Sequence, residues 1–592
     1  MDRRQFLRLT GFFTVSTALA GCNDEGDDNE GATLPPGNHR FAEGVASGDP
    51  RPASLVFWTR AAPVNGSADV AVTLEVATDT AFASLVASVP LTAEARYDFT
   101  VRHKLEGLSP ATAYHYRFRA GGDVSATGHA RTAPAATASV ERLRIGVFTC
   151  QDWSVNHWQA MGLMAAEDYD FILHLGDFIY EAFRTGFQPT AAEPAHPKLS
   201  LPDGKTDDEN DLTHAVSLAD YRTLHRTYRG DTRLQALMAA FTAIVTWDDH
   251  EFSDDCWQDH ETYTNANPQV TDRRRAATQA WAEYTPVDWG DVAFDLSNAS
   301  FENIRLYRSF AFGTLATLVM TDERLYRDDH LVREADVARA DGDDPVNGDD
   351  AVGSRFLVER DVLAAADAAR TTALGRPPQI LGSTQTQWWK DQMVQSRATW
   401  RLWGNQVALN RLWLDLPAPY NRTYVVNCDQ WDGYPTHKAE LLGYLADQQI
   451  GNVVALTGDL HCFQAGVVRD SNETDGRAVL VDFVTAGISS SSLFDQLGEQ
   501  DRAAEFIAPL LASSELLESA VTDSNPDFAH VDFDAQGYSS VTVTPGSVQV
   551  VFTRVTKVGD DGVAPALDQA VSRRTRCTVS SGSVAVTVDD GI

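Results

Sequence analysis

The chain has no CxxC pair, no dense cysteine framework and no internal repeat, and its six cysteines are spread over 592 residues. Basic residues are scarce as well: 48 Lys and Arg stand against 83 Asp and Glu, a formal net charge of −35, and nearly all of the cations are arginine. So acidic a chain offers no basic patch for a phosphate backbone, which argues against nucleic acid as a partner. An anionic substrate could approach only where bound cations reverse the field locally. The remaining charge makes a solvated acidic surface. Past the N-terminus no apolar run reaches the ~20 residues of a membrane span, so the mature body is expected to be soluble.

The N-terminus reads as an address. Arg3-Arg4-Gln5-Phe6-Leu7 carries a twin arginine, and a mildly apolar stretch from Thr10 to Ala20 ends at Leu19-Ala20-Gly21-Cys22. That pattern predicts a twin-arginine lipoprotein signal over 1–21, used by the twin-arginine export machinery, with Cys22 lipidated. The alternative is a plain signal with Cys22 incidental. Export to the periplasm or cell surface follows, with the membrane reached only through the lipid anchor at Cys22. Residues 22–39 are rich in Asp, Glu, Gly and Pro and read as a disordered tether. Without Cys22 five cysteines remain, an odd number for an exported chain, so at least one should be a free thiol or a ligand.

Residues 40–135 read as a β-sandwich. SLVFWTR, DVAVTLEVAT, YDFTVRHKLEGL and TAYHYRFRAG alternate with turn residues at short spacing. Leu108-Ser109-Pro110-Ala111-Thr112-Ala113-Tyr114 is similar to the tyrosine corner of fibronectin-type sandwiches. Ala133–Ser139 reads as a linker. From 141 to 560 strand-like runs alternate with amphipathic stretches (His157–Glu167, Thr384–Ser396, Thr436–Gln449), which is α/β layering. Ile304–Gly313 and Leu315–Arg324 look like an antiparallel pair, so the sheet is mixed. Tyr538–Val555 is a hairpin around Pro-Gly, and 561–592 reads as a C-terminal β extension. The acidic segment Asp336–Asp350 reads as an exposed loop.

Three apolar runs end abruptly in ionisable residues: FILHLGDFIY (171–180), AIVTWDDHE (243–251) and NVVALTGDLH (452–461). A fourth, LRIGVFTCQDW (143–153), ends in Cys150. Buried parallel strands read as such runs, and ligands bind beyond their carboxyl ends. The four strands are therefore expected to deliver Cys150, Asp177, Tyr180, Asp249, His250, Asp459 and His461 to one sheet edge, as a dinuclear metal centre. A lone Gly-Asp-x-x-Tyr would more simply cap a helix. Four ionisable groups in Asp248-Asp249-His250-Glu251 are hard to place in a core, because an unpaired buried charge costs several kcal/mol. For Cys462 a small buried hydrophobe is the simpler reading.

The order Cys-Gln-Asp-Trp, Gly-Asp-x-x-Tyr-Glu, Trp-Asp-Asp-His-Glu and Gly-Asp-x-His resembles the PhoD-type alkaline phosphatase/phosphodiesterase family, among the calcineurin-like metallophosphoesterases. Gly44–Pro50, Trp58-Thr59-Arg60, Asp322-x-Arg324-x-Tyr326-Arg327, Trp403–Gln406, Asp429–Tyr434 and Gly537-Tyr538 extend the likeness over nearly the whole mature chain. The resemblance implies a sandwich ahead of a four-layer αββα metallophosphoesterase domain holding one Fe(III) and calcium. Against the general superfamily core, Cys150 replaces the first Asp, Asp249 replaces Asn, and Asp459 replaces the first His of Gly-His-x-His. One position then has thiolate, phenolate, carboxylate and imidazole (Cys150, Tyr180, Asp177, His461), which suits Fe(III). The second, with Asp177, Asp249 and Asp459, has only oxygen and suits Ca²⁺.

The activity so implied is phosphoric ester hydrolysis. Water acidified at the ferric site attacks phosphorus, calcium holds the phosphate oxygens, and His250 assists the leaving group. The alternatives are a phosphodiesterase or phospholipase D-like hydrolase on the same centre, or a non-catalytic envelope-binding lipoprotein. His250 could instead orient a ligand carboxylate. Arg324 and Arg327 could touch phosphate or simply pair with acids. Asn405 or Gln406 could donate a neutral oxygen, a strand-end hydrogen bond being the simpler reading.

Overall fold

In the computed structural model, residues 37–184, 196–207, 212–264, 266–332, 355–417, 421–471, 475–498, 507–558 and 563–592 are described. The signal, Cys22, nearly all of the tether and the acidic segment 336–350 lie outside them. No helix among the described residues is long and apolar enough to cross a membrane.

Two large sheets face each other. The first has ten strands, in the order Val586–Asp590, Val571–Ser580, Ser547–Val555, Gly537–Val543, Leu143–Phe148, Phe171–His174, Thr242–Val245, Val45–Gly48, Ser54–Arg60 and Thr100–Glu106. The second has seven: Arg308–Phe312, Ala316–Met320, Trp400–Asn405, Val453–Thr457, Ala478–Val484, Phe463–Arg469 and Phe528–Asp532. Ile145, Val147, Leu173 and Ile244 of the first sheet share one buried cluster with Phe310, Leu318, Leu402, Leu456 and Phe483 of the second. On the outer face of the first sheet, Ile172, Ala243 and Val245 pack on the helical residues Met161, Leu224, Leu237 and Trp281. On that of the second, Val319, Trp403 and Ala455 pack on Trp389, Met393, Leu441 and Leu445. The layers are therefore helix, sheet, sheet, helix, a mixed α/β architecture. Alternation within each strand explains this, because successive side chains of a strand covered on both faces serve two different cores.

The amphipathic stretches fold as Gln159–Ala165, Gly382–Gln395 and Pro435–Asp447. The expected hairpin is the antiparallel pair Gly537–Val543 with Ser547–Val555, and Arg308–Phe312 pairs antiparallel with Ala316–Met320.

The N-terminal region is a β-sandwich. Its core joins Leu55, Phe57 and Val101 to Val72, Leu74, Tyr116 and Phe118, and the Tyr114 hydroxyl accepts from the Ser109 backbone N–H at 2.8 Å as a tyrosine corner does. Only one of its two sheets stands alone, however. The other, Val45–Gly48 with Ser54–Arg60 and Thr100–Glu106, continues the ten-stranded sheet, because Ser47 and Gly48 pair in parallel with Thr242 and Ala243. The 133–139 segment differs from a free linker: Ala133 is buried between the two large sheets, and Ala138 O accepts from the Thr314 N–H at 2.9 Å.

A buried ion pair pins this joint. Arg308 donates to Asp49 Oδ1 through Nε at 3.1 Å and Nη2 at 2.8 Å, and also to the carbonyl of Val245. Asp49→Asn should leave the guanidinium buried without its counter-charge, a loss of about 3–5 kcal/mol. A thermal melt should show it as a clear fall in Tm, and an unchanged melt would mean the pair is not a structural pin.

Candidate metal centre

The first three site strands are adjacent and parallel, with Phe148 opposite His174 and His174 opposite Val245, so their carboxyl ends lie level. In the second sheet Met320, Gly404 and Leu456 are likewise level. The predicted single sheet edge is thus two edges meeting: Cys150, Asp177 and Asp249 follow strands of the first sheet, Asp459 and His461 a strand of the second. The reason is the four-layer packing itself, which brings the carboxyl ends of both sheets to the same end of the shared core.

No helix begins at Gly176-Asp177, so the carboxylate is not a cap. Gly176 has φ +113°, and a Cβ there would lie 2.4 Å from Asp248 Cβ, so only glycine lets the two turns touch. Cys150, Asp177, Asp459 and His461 all adopt left-handed backbone, with φ of 54°, 56°, 62° and 56°. Such a conformation costs a non-glycine residue about 1–3 kcal/mol and persists where the surroundings over-determine it, typically at functional sites. Four instances in one constellation mark the site independently of motif.

Glu251 holds the turns together: its carboxylate accepts from the backbone N–H groups of Asp177 at 3.0 Å, Phe178 at 2.7 Å and Asp248 at 2.7 Å. Burial, outweighing these bonds, raises its pKa to about 7.

Ligand atoms of Cys150, Asp177 and His461 lie within 4.8 Å of one another. The Tyr180 hydroxyl donates to Asp177 Oδ2 at 3.3 Å and lies 3.1 Å from His461 Nε2. All four predicted residues of the first position are therefore together. His461 Nδ1 is 2.6 Å from the Ser491 carbonyl and 2.8 Å from the Gln496 side-chain amide; the tautomer that donates to the carbonyl has its proton on Nδ1 and its lone pair on Nε2. Burial lowers the His461 pKa to about 4, so the imidazole is neutral and competent as a ligand. Burial and then neighbouring anions (Asp249 at Asp177, Asp177 at Cys150, Cys150 at Tyr180) push all three of these acids well above their ordinary pKa values.

Asp249 contributes to three further groupings, with Asp177 and His250, with Asp248 and Asp459, and with Asp254 and Asp255. Burial raises Asp459 to about 6. Burial also opposes the Asp249 charge, but Arg324 and His250 outweigh it and lower its pKa. Asp249 Oδ1 and Asp248 Oδ2 are buried with no hydrogen-bond partner. Buried acids, two of them with orphaned oxygens, form a donor set that fits multivalent cations, since an uncompensated buried carboxylate costs several kcal/mol.

His250 lies at the mouth, its side chain 17% exposed. Its ring packs 4.1 Å from that of Tyr180, and Nδ1 is 2.7 Å from Glu181 Oε2. Glu181 is fully buried and also accepts from Tyr263 and from the Asp254 N–H. Burial opposes charge on His250, but Glu181, Asp249 and Asp177 outweigh it and raise its pKa well above the usual value. The partner of His250 is thus Glu181, a residue visible in Gly-Asp-x-x-Tyr-Glu but given no role by the motif.

Arg324 and Arg327 are fully buried and paired with acids: Arg324 bonds Asp248, Asp429 and Asp459, and Arg327 pairs with Asp429 at 3.0 Å. Asn405 bonds Val407 O, Thr457 and Trp431, and Gln406 bonds Thr246, Trp247 O and the Glu323 N–H. Both serve strand-end hydrogen bonds, and Gln406 ties the two sheets together at the site. Cys462 lies in the core with Leu493, Leu497 and Phe533. The five cysteines among the described residues are all buried and unpaired.

The model of the PhoD-like phosphatases matches residues 145–552, and that of the PhoD-like phosphatase N-terminal domain matches 28–134. The alkaline phosphatase D of Bacillus subtilis (strain 168) is 29% identical over 581 residues, covering 95% of this chain and 86% of that protein. A solved structure of PhoD superposes with a TM-score of 0.72 at 26% identity, covering 93% of this chain and 92% of that one.

Proposed function

The chain belongs to the PhoD-like phosphatase family, a metal-dependent phosphatase fold, and from that premise we propose an exported Fe(III)/Ca²⁺ phosphoric ester hydrolase. The observation that carries the reading is the convergence of Cys150, Asp177, Tyr180 and His461, three of them on left-handed backbone. Thiolate, phenolate, carboxylate and imidazole would hold Fe(III). Asp177, Asp249 and Asp459 would hold Ca²⁺ through oxygen alone. When bound, the cations supply Lewis acidity for water and positive charge for phosphate oxygens.

The chain's own residues do the rest. Glu181 holds His250 Nδ1 and favours the imidazolium, so Nε2 carries a proton at the mouth. As the P–O bond breaks, that proton passes to the leaving oxygen and solvent restores it. Export through the twin-arginine machinery, with a lipid anchor at Cys22, is supported by the signal pattern in residues 1–22.

Assay against 4-nitrophenyl phosphate, its bis ester and phosphatidylcholine, together with metal analysis of protein exported in the folded state, tests the reading. About one iron and at least one calcium per chain are expected, with a visible thiolate/phenolate-to-iron band. Colourless protein fully active with zinc alone would overturn it. Preference for the bis ester or the lipid would move the assignment to a diesterase.

A pH dependence follows. In the metal-free chain Asp459 (about 6) and Glu251 (about 7) lie above the unfolded carboxylate range of about 4. Their contribution to stability is complete below about pH 4 and is lost as pH rises through those folded values. A cation binds the deprotonated site and reverses the trend. The Tm gap between metal-loaded and chelator-stripped protein should therefore widen from about pH 5 to about pH 8. A gap independent of pH would count against a cation at Asp459.

A further inference from the structure

Arg324 is placed where a small cation would be placed. Its side chain is fully buried, and its fork reaches three carboxylates: Nε to Asp248 Oδ1 at 2.5 Å, Nη1 to Asp429 Oδ2 at 2.8 Å and Nη2 to Asp459 Oδ1 at 2.8 Å. Nη2 is also 3.6 Å from Asp249 Oδ1, the buried oxygen that has no hydrogen-bond partner. Asp429 has a second cation in Arg327 at 3.0 Å and a hydrogen bond to His330 at 2.7 Å, whereas among the ion pairs of the described residues Arg324 is the one Lys or Arg paired with Asp248, Asp249 and Asp459. The other oxygen of Asp459 accepts from the Gln430 side chain. Two of the three residues proposed for the second metal position thus already share a fixed, permanently charged guanidinium.

We propose that Arg324 is a tethered cation that limits the second metal position, keeping Ca²⁺ there weakly held and exchangeable while the first ion is held firmly. The inference rests on the reading of Asp177, Asp249 and Asp459 as that position. A guanidinium bonded to a ligand carboxylate repels a divalent ion at the same carboxylate, and over a few ångströms this repulsion is worth far more than solvent-exposed charges feel. The first position has no such competitor, because among the ion pairs of the described residues none joins a Lys or Arg to Asp177. The chain thus carries part of the acid cluster's counter-charge itself.

The test is a Ca²⁺ titration of EGTA-treated, desalted full-length protein, followed by calorimetry and by the shift in Tm. In Arg324→Gln the acids lose their fixed cation, so Ca²⁺ should bind at least ~10-fold more tightly than in wild type and raise Tm by more. Arg324→Lys, which keeps one charge but loses the fork, should fall between the two. If Arg324→Gln folds only when Ca²⁺ is present, the same conclusion holds. If it does not fold under either condition, Arg324→Lys carries the comparison, and affinity equal to or weaker than wild type overturns the proposal. Wild type that binds Ca²⁺ while both variants bind it no tighter refutes the role of Arg324 alone. No Ca²⁺ binding by any of the three removes the second metal position, and this inference with it.

Discussion

Cys150→Ser is expected to strip the protein of iron, bleach its visible band and remove most of its activity. Cys150 Sγ lies within 4.8 Å of ligand atoms of Asp177 and His461, and the Thr149 hydroxyl sits 3.1 Å from it. Burial and Asp177 push its thiol well above the ordinary pKa, so the thiolate forms only together with a cation that stabilises it. Serine is a far weaker acid and a harder ligand. Losing a direct ligand should exceed the ~10–100-fold drop in affinity that follows loss of a ligand's outer partner. The control is Cys577→Ser. Cys577 is buried between the two sheets, away from the site, so its serine should cost about 1–3 kcal/mol as an unsatisfied buried hydroxyl yet leave metal content intact. Equal metal content in the two variants would mean that Cys150 is only packed.

Much of this centre was legible because the chemistry interrupts a pattern. An apolar run of strand length that breaks into Gly-Asp or Asp-Asp-His states both where a strand ends and that something charged must be accommodated there. Cys150, Asp177, Asp249 and His461 were legible on those terms. What was hidden depends on pairings distant in sequence. Nothing in VASG or TAIV says that Ser47 pairs with Thr242, because strand periodicity specifies faces and not neighbours. The sandwich therefore read as a separate unit although one of its sheets continues the catalytic one. For the same reason the site read as a single edge, whereas the strand before Asp459 belongs to the opposing sheet. Arg324 was ambiguous because an arginine near acids reads alike whether it faces substrate or is enclosed by carboxylates. Its complete burial shows the enclosure. The role of Glu181 is not legible in the sequence, because its partner His250 lies on another strand end.

His250→Ala is expected to lower kcat by ~10²–10⁴-fold, the range for loss of a positioned general acid, while metal content stays near wild type. His250 follows Asp249, but neither of its ring nitrogens is needed to complete the first position. Nδ1 is engaged by Glu181, and Nε2 lies 3.5 Å from Asp254, itself half exposed at the mouth. Because an acid matters most when the departing oxygen is basic, the loss should be large for alkyl esters and small for 4-nitrophenyl esters. Glu181→Gln supplies a second reading of the same group. It keeps a hydrogen bond to Nδ1 but removes the charge that, next after burial, most influences the imidazolium. The His250 pKa should fall, so the active protonated form is lost at lower pH and the alkaline limb of the kcat profile moves downward. A His250→Ala protein that loses metal in step with activity, or the same factor on both esters, would make His250 a ligand or a structural residue. An unmoved alkaline limb in Glu181→Gln would show that the limb reports some other group.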